Sequence, residues 1–147
     1  MNTGPMNTEP MNADNVAQEM FTVLHGQPAP VVTRWSYSAA DPFAVTIGVR
    51  GRRNRFVEWL VARDLVIESL TGPAGCGDVR MSPQHVQGYD IIEIEIRSTD
   101  GRAVLEVDRE LLQRFVAAAL ALVPAGEEAG RMDLDAEILK ITRSCAG

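Results

Sequence analysis

Two histidines, two cysteines and twenty acids are the groups from which this chain of 147 residues could assemble a reactive site. His25 ends an apolar, alternating run, and His85 falls in a polar stretch that reads as a turn. No HxxE, HExxH or histidine–cysteine pair stands at ligand spacing, and zinc needs three or four convergent donors. Both histidines therefore read as surface residues, and no metal is expected. Cys76 lies between Gly75 and Gly77. A thiol becomes a nucleophile only where a cation lowers its pKa, and with Arg80 the one base close by in sequence it reads as a spectator. The run Gly72–Gly77 has the glycine content of a phosphate loop but lacks the closing GK[ST], and a strand follows it rather than a helix. It reads as a flexible connector. There is no GxSxG elbow and no SxxK. Glu93 and Glu95, two apart on a strand, point the same way, as the acids of a glycosidase would. With eight aromatic residues in the whole chain, a solvated strand face is the expectation. No catalytic residue and no cofactor is expected, and the chain reads as non-enzymatic.

One electrostatic feature stands out. Residues 31–63 carry six arginines against Asp41 and Glu58, within a chain of net charge −6. Arg50, Arg52, Arg53 and Arg55 cluster at one turn, where they could clamp phosphates, with Trp35, Tyr37, Phe43 or Trp59 as stacking partners. Alternation places those aromatics on core faces instead, and the overall negative field repels nucleic acid. Single-stranded nucleic acid is thus the second functional reading, behind protein–protein interaction. The pairs Arg63–Asp64 and Asp78–Arg80 flank the glycine run and read as hydrogen-bonding pins for it.

The elements that must position these residues follow from periodicity. Residues 1–15 repeat an imperfect pentapeptide, are polar and hold two prolines, which reads as a disordered tail; residues 16–147 read as a single domain. The start has no basic stretch and no apolar stretch of a secretory signal, no apolar run is long enough to cross a membrane, and two cysteines suit a reducing compartment. A cytoplasmic protein is expected. Strand patterns cover 16–25, 31–37, 43–50, 55–61, 78–82, 88–97 and 102–107, with period-two alternation clearest at Phe43, Val45, Ile47 and Val49. Asp41-Pro42 and Gly51–Asn54 punctuate turns. A short helix fits 62–70. Asp108 is placed to cap a helix over 109–122, and a last helix fits 133–143. Four strands, a helix, three strands and two helices make an α+β domain of about seven strands, antiparallel because one face of 89–96 is charged.

Several stretches resemble a known family. Ala40–Val45, Val57–Leu65, Pro73–Arg80 with Pro83, and Val123–Glu128 followed by Asp133-Leu134-Asp135 look like the SsgA-like proteins, in order, over roughly residues 16–142. The combination EWxxARDL with PxGxGDVRxxP carries most of the likeness. On this resemblance Asp41, Pro42, Trp59, Arg63, Asp64, Gly75, Gly77, Asp78 and Arg80 are family-motif positions with a structural role. The resemblance implies an actinobacterial regulator of septum formation and sporulation. It would act without catalysis, at the septum, by helping to position or activate the tubulin-like division GTPase or by controlling septal wall remodelling. Its partners would be that GTPase or other SsgA-like proteins. The implied fold is whirly-like, with curved antiparallel sheets, one short internal helix and two C-terminal helices, assembled as a homotrimer. Phe43 stands where the family commonly has Tyr, and Ser69 where it commonly has Gly.

Overall fold

The computed structural model describes residues 8–12, 14–50, 56–99 and 101–131. Its elements are β1 (Thr8–Asn12), β2 (Asn15–Leu24), β3 (Val31–Ser38), β4 (Ala44–Arg50), β5 (Phe56–Ala62), α1 (Arg63–Ser69), β6 (Ala74–Cys76), β7 (Val79–Val86), β8 (Tyr89–Ser98), β9 (Gly101–Asp108), α2 (Arg109–Leu122) and a 3-10 turn at Glu128–Arg131. All strand pairs are antiparallel. The sheet runs β5-β4-β3-β2-β9-β8-β7-β6, with β1 beside β2, and curves into a half-barrel. The α+β, antiparallel, curved expectation holds.

The path has a simple origin. From β2 to β9 the chain is a succession of hairpins interrupted once, by α1. That helix packs against β5, β6 and β7, so the strands flanking it in sequence form the two ends of the sheet. The far ends of the run, β2 and β9, then meet each other. They share only the pairs Val23↔Glu106 and Leu24↔Leu105. The remainder of that edge of β2, Asn15–Gln18, pairs with β1.

Strand faces follow the alternation. Thr33, Trp35 and Tyr37 on β3, and Ile92, Ile94 and Ile96 on β8, point inward. α2 lays Leu112, Phe115, Val116 and Ala119 on them, the spacing of one helical face. Trp35 and Phe115 meet edge to face, with ring centroids 6.1 Å apart. Three buried polar side chains are satisfied locally. Trp35 Nε1 donates to Thr33 Oγ1 at 3.0 Å, and the Thr33 and Thr22 hydroxyls lie 2.8 Å apart. The helix begins as expected, with the Asp108 carboxylate accepting from Leu111 N at 2.9 Å.

Among the described residues the strands number nine rather than about seven, for two reasons. Residues 8–12, expected in the tail, pair with β2 as an edge strand. Proline within a sheet is confined mainly to edge strands, where its missing N–H can face away from the ladder. The glycine run is not a flexible connector, since Ala74–Cys76 pair with β7. Gly75 has φ +118, and a Cβ there would collide with Val79 O and lie 2.9 Å from Arg80 Cα. Glycine is what lets the two backbones approach. Likewise β7 continues through Pro83 to Val86, and His85 is in that strand rather than a turn. The hairpin turn falls at Gln87 and Gly88, both with positive φ, as a two-residue turn matched to strand twist requires. The helix expected over 133–143 lies outside the described residues.

Gly75→Ala is expected to lower stability by about 2–3 kcal/mol, read from urea unfolding midpoints. Gly88→Ala, at φ +85 with no heavy atom within 4 Å of the added carbon, should lose only about 1 kcal/mol.

Candidate functional site

Arg63 is the first residue of α1 and is 2% exposed. Its backbone N–H donates to Phe43 O at 2.8 Å. Its Nη1 donates to Val123 O at 2.6 Å, to the Tyr37 hydroxyl at 3.0 Å and to Ala119 O at 3.4 Å. Its Nη2 donates to Glu128 Oε2 at 3.0 Å, and the guanidinium carbon lies 5.2 Å from the Tyr37 ring centre. Ala119 and Val123 supply carbonyls at the C-terminal end of α2, a helix with no basic residue of its own in the last turn. The guanidinium thus supplies, from another element, the cation that the negative end of a helix favours.

The turn at Asp41-Pro42 joins the same knot. The Tyr37 hydroxyl donates to Pro42 O at 2.9 Å, and Asp41 N donates to Ser38 O. The Phe43 contribution is its backbone carbonyl, which the Tyr-to-Phe difference does not touch. Glu128 closes the knot by accepting from Gly126 N at 2.8 Å. Burial pushes the Glu128 carboxyl upward. The backbone N–H bonds and the Arg63 guanidinium outweigh that and hold it below its ordinary value of 4.5.

Arg63 therefore does not pin the glycine run as its position beside Asp64 suggests. Asp64 is exposed and serves the first turn of α1. Arg109 makes the inter-helix bond instead, donating through Nε and Nη2 to Leu70 O at 3.1 and 2.8 Å. Asp78 holds the start of β7 through its carbonyl, which accepts from Arg97 N at 2.8 Å. Gly77 has φ +69. Arg80 is exposed, across from Glu95 on β8. Trp59 is half-buried opposite Ile47. Arg50 is exposed at the end of β4, whereas Arg52, Arg53 and Arg55 lie outside the described residues. Trp35 and Tyr37 are buried, which removes them as stacking partners for a base.

The exposed surface holds a different feature, absent from the sequence-based candidates. Phe21 (49% exposed) and Val23 (46%) stand on the outer face of β2, and Val86 and Tyr89 (70%) flank the β7–β8 turn. With Pro30 and Ile91 they line an apolar groove of about 300 Å³, edged by Glu106 and Asp108. Alternation does place Phe21 and Val23 opposite Met20 and Thr22. Their partners arrive through long-range pairing, so no local signal marks the groove. At its margin His25, Glu93 and Glu106 come together, the one group among the described residues with donors arranged to hold a metal ion. Glu95 is engaged by Arg102 at 2.9 Å, as a solvated face implies.

Arg63→Lys is expected to cost about 2–4 kcal/mol, because one ammonium cannot serve the hydroxyl, two carbonyls and a carboxylate together. Urea midpoints of the two proteins check this. The depressed Glu128 carboxyl adds stability that is complete above 4.5 and lost as pH falls through its folded value, since the unfolded state then binds more protons. Glu128→Gln should flatten that part of the acid-side slope between about pH 6 and pH 3.

Comparison with known proteins agrees with this architecture. The family described as "Streptomyces sporulation and cell division protein, SsgA" matches residues 31–128. The "Sporulation-specific cell division protein SsgB" of Frankia casuarinae is 35% identical over 128 residues, 85% of this chain and 90% of that protein. The SsgB of Streptomyces coelicolor is 38% identical over 112 residues, 76% of this chain and 82% of its own length. A structure solved in connection with SsgB mutations that correlate with longitudinal cell division during sporulation of Streptomyces coelicolor superposes with a TM-score of 0.76. It is 34% identical and covers 80% of this chain and 94% of its own. The SsgA-like sporulation-specific cell division protein of Thermobifida fusca gives 0.75 at 29% identity, covering 88% and 97%. With the family's profile spanning most of the described domain, the chain belongs to the SsgA family of sporulation and cell division proteins, and its role in sporulation-specific division is regulatory and non-enzymatic.

Proposed function

We propose that this chain is an adaptor that binds the tubulin-like division GTPase at sporulation septa, helping to position or activate it, and that it does so as a homotrimer. The observation that carries the reading is the groove of Phe21, Val23, Val86 and Tyr89. Aromatic and branched side chains held on rigid strands are the usual anchors of a protein interface, because little conformational entropy is lost when they are covered. Glu106 and Asp108 at the margin favour a partner segment with apolar residues beside a base. The family supplies the division setting, and its resemblance supplies the GTPase as partner. Among the described residues no helix is long and apolar enough to cross a membrane, so location at the septum in this reading comes through the partner.

Co-sedimentation with polymers of the purified GTPase tests this. The wild-type chain is expected to pellet with the polymer, and a Phe21→Ser/Tyr89→Ala variant to bind at least about tenfold more weakly. Undiminished binding by the variant removes the groove from the reading. Failure of the wild-type chain to bind removes the GTPase.

A further inference from the structure

We propose that His25, Glu93 and Glu106 form a site for one zinc-class divalent ion, set across the junction of β2 with β9. The three residues come from three places in the chain and are brought together by the ladder. His25 follows the last residue of β2, and its backbone N–H is fixed to Val104 O at 2.9 Å. Glu106 is paired with Val23 on one side and with Glu93 of β8 on the other. One donor atom from each lies within 4.8 Å of the other two, and His25 Nε2 is 2.7 Å from Glu106 Oε2. A small outward shift of that contact gives room for an ion bonded at about 2.0–2.2 Å to each ligand.

The charge arrangement points the same way. Two carboxylates directly opposite on neighbouring strands repel each other and destabilise the pair. His25 bonds to one of them, and among the described residues no ion pair engages Glu93. A divalent cation cancels the charge of both carboxylates while the imidazole supplies a nitrogen. An imidazole with two carboxylates suits zinc, cobalt or nickel. Calcium and magnesium prefer all-oxygen shells. Both glutamates are half-buried and His25 is exposed. The ion would therefore keep an open side facing solvent, occupied by water. Its three ligands would tie β2 to β8 and β9 where only two residue pairs hold the sheet together.

Isothermal titration of the untagged full chain with Zn²⁺, in parallel with His25→Ala and Glu93→Gln, tests the site. One ion per wild-type chain is expected, with affinity reduced about tenfold or more in each variant. Glu93→Gln keeps the shape of an outward side chain, so a fold defect does not mimic the effect. Zinc should also raise the thermal midpoint of the wild-type chain but not of Glu93→Gln. Absence of zinc binding overturns the proposal, as does equal affinity in either variant or equally tight binding of Mg²⁺. A Co²⁺ spectrum with a thiolate charge-transfer band would place the ion on Cys76 or Cys145 and would overturn it as well.

Discussion

A guanidinium taken out of water must recover its hydration through fixed acceptors, and the two terminal nitrogens of Arg63 do so by drawing three other parts of the chain to one point. The hydroxyl of Tyr37 belongs to β3, the carbonyls of Ala119 and Val123 to the end of α2, and the carboxylate of Glu128 to the turn beyond it. The Arg63 backbone holds Phe43 as well. Geometry at this knot sets where α1 starts, and α1 in turn sets where both ends of the sheet lie. Asp41, Pro42 and Arg63 therefore have a shared physical reason for their spacing.

Much of this was legible in the sequence. Strands with period-two alternation declared themselves through Phe43–Val49 and Ile92–Ile96, and α2 through Asp108 and the Leu112–Ala119 stripe. What escaped was short or unusual. β6 is three residues long with a glycine in its middle, so no alternation exists to read. Pro83 interrupts the pattern of β7 yet is accommodated because β6 covers only Val79–Met81. β1 is five residues long, holds Pro10 and shows no alternation, and its strand character comes from the partner edge that β2 presents.

Side-chain constellations were harder to foresee, for a related reason. Arg63 sits next to Asp64 in sequence, and its position beside the glycine run reads as a hydrogen-bonding pin for that run. Helix geometry sends the two side chains in different directions, and the arginine finds its acid at Glu128 instead. His25, Glu93 and Glu106 show the same principle over still longer separations. Spacing rules detect ligands borne by one helix or one turn. They are blind to residues placed together by strand register. Glu93 and Glu95 looked like a matched pair, yet the register assigns Glu95 to Arg102 and sets Glu93 against Glu106.

The meeting of β2 with β9 has a consequence for how the molecule is made. Every other neighbouring pair along the sheet path is adjacent in sequence, so each zips from a nearby turn with a small closure entropy. Joining Val23 to Glu106 instead encloses the whole intervening polypeptide, and two rungs return little for that loss. Such a contact forms late and opens early. The order of assembly expected from closure entropy then runs from the hairpins to the docking of α2 on β2, where Gln18 Nε2 reaches Leu111 O at 3.1 Å, with the closing rungs last.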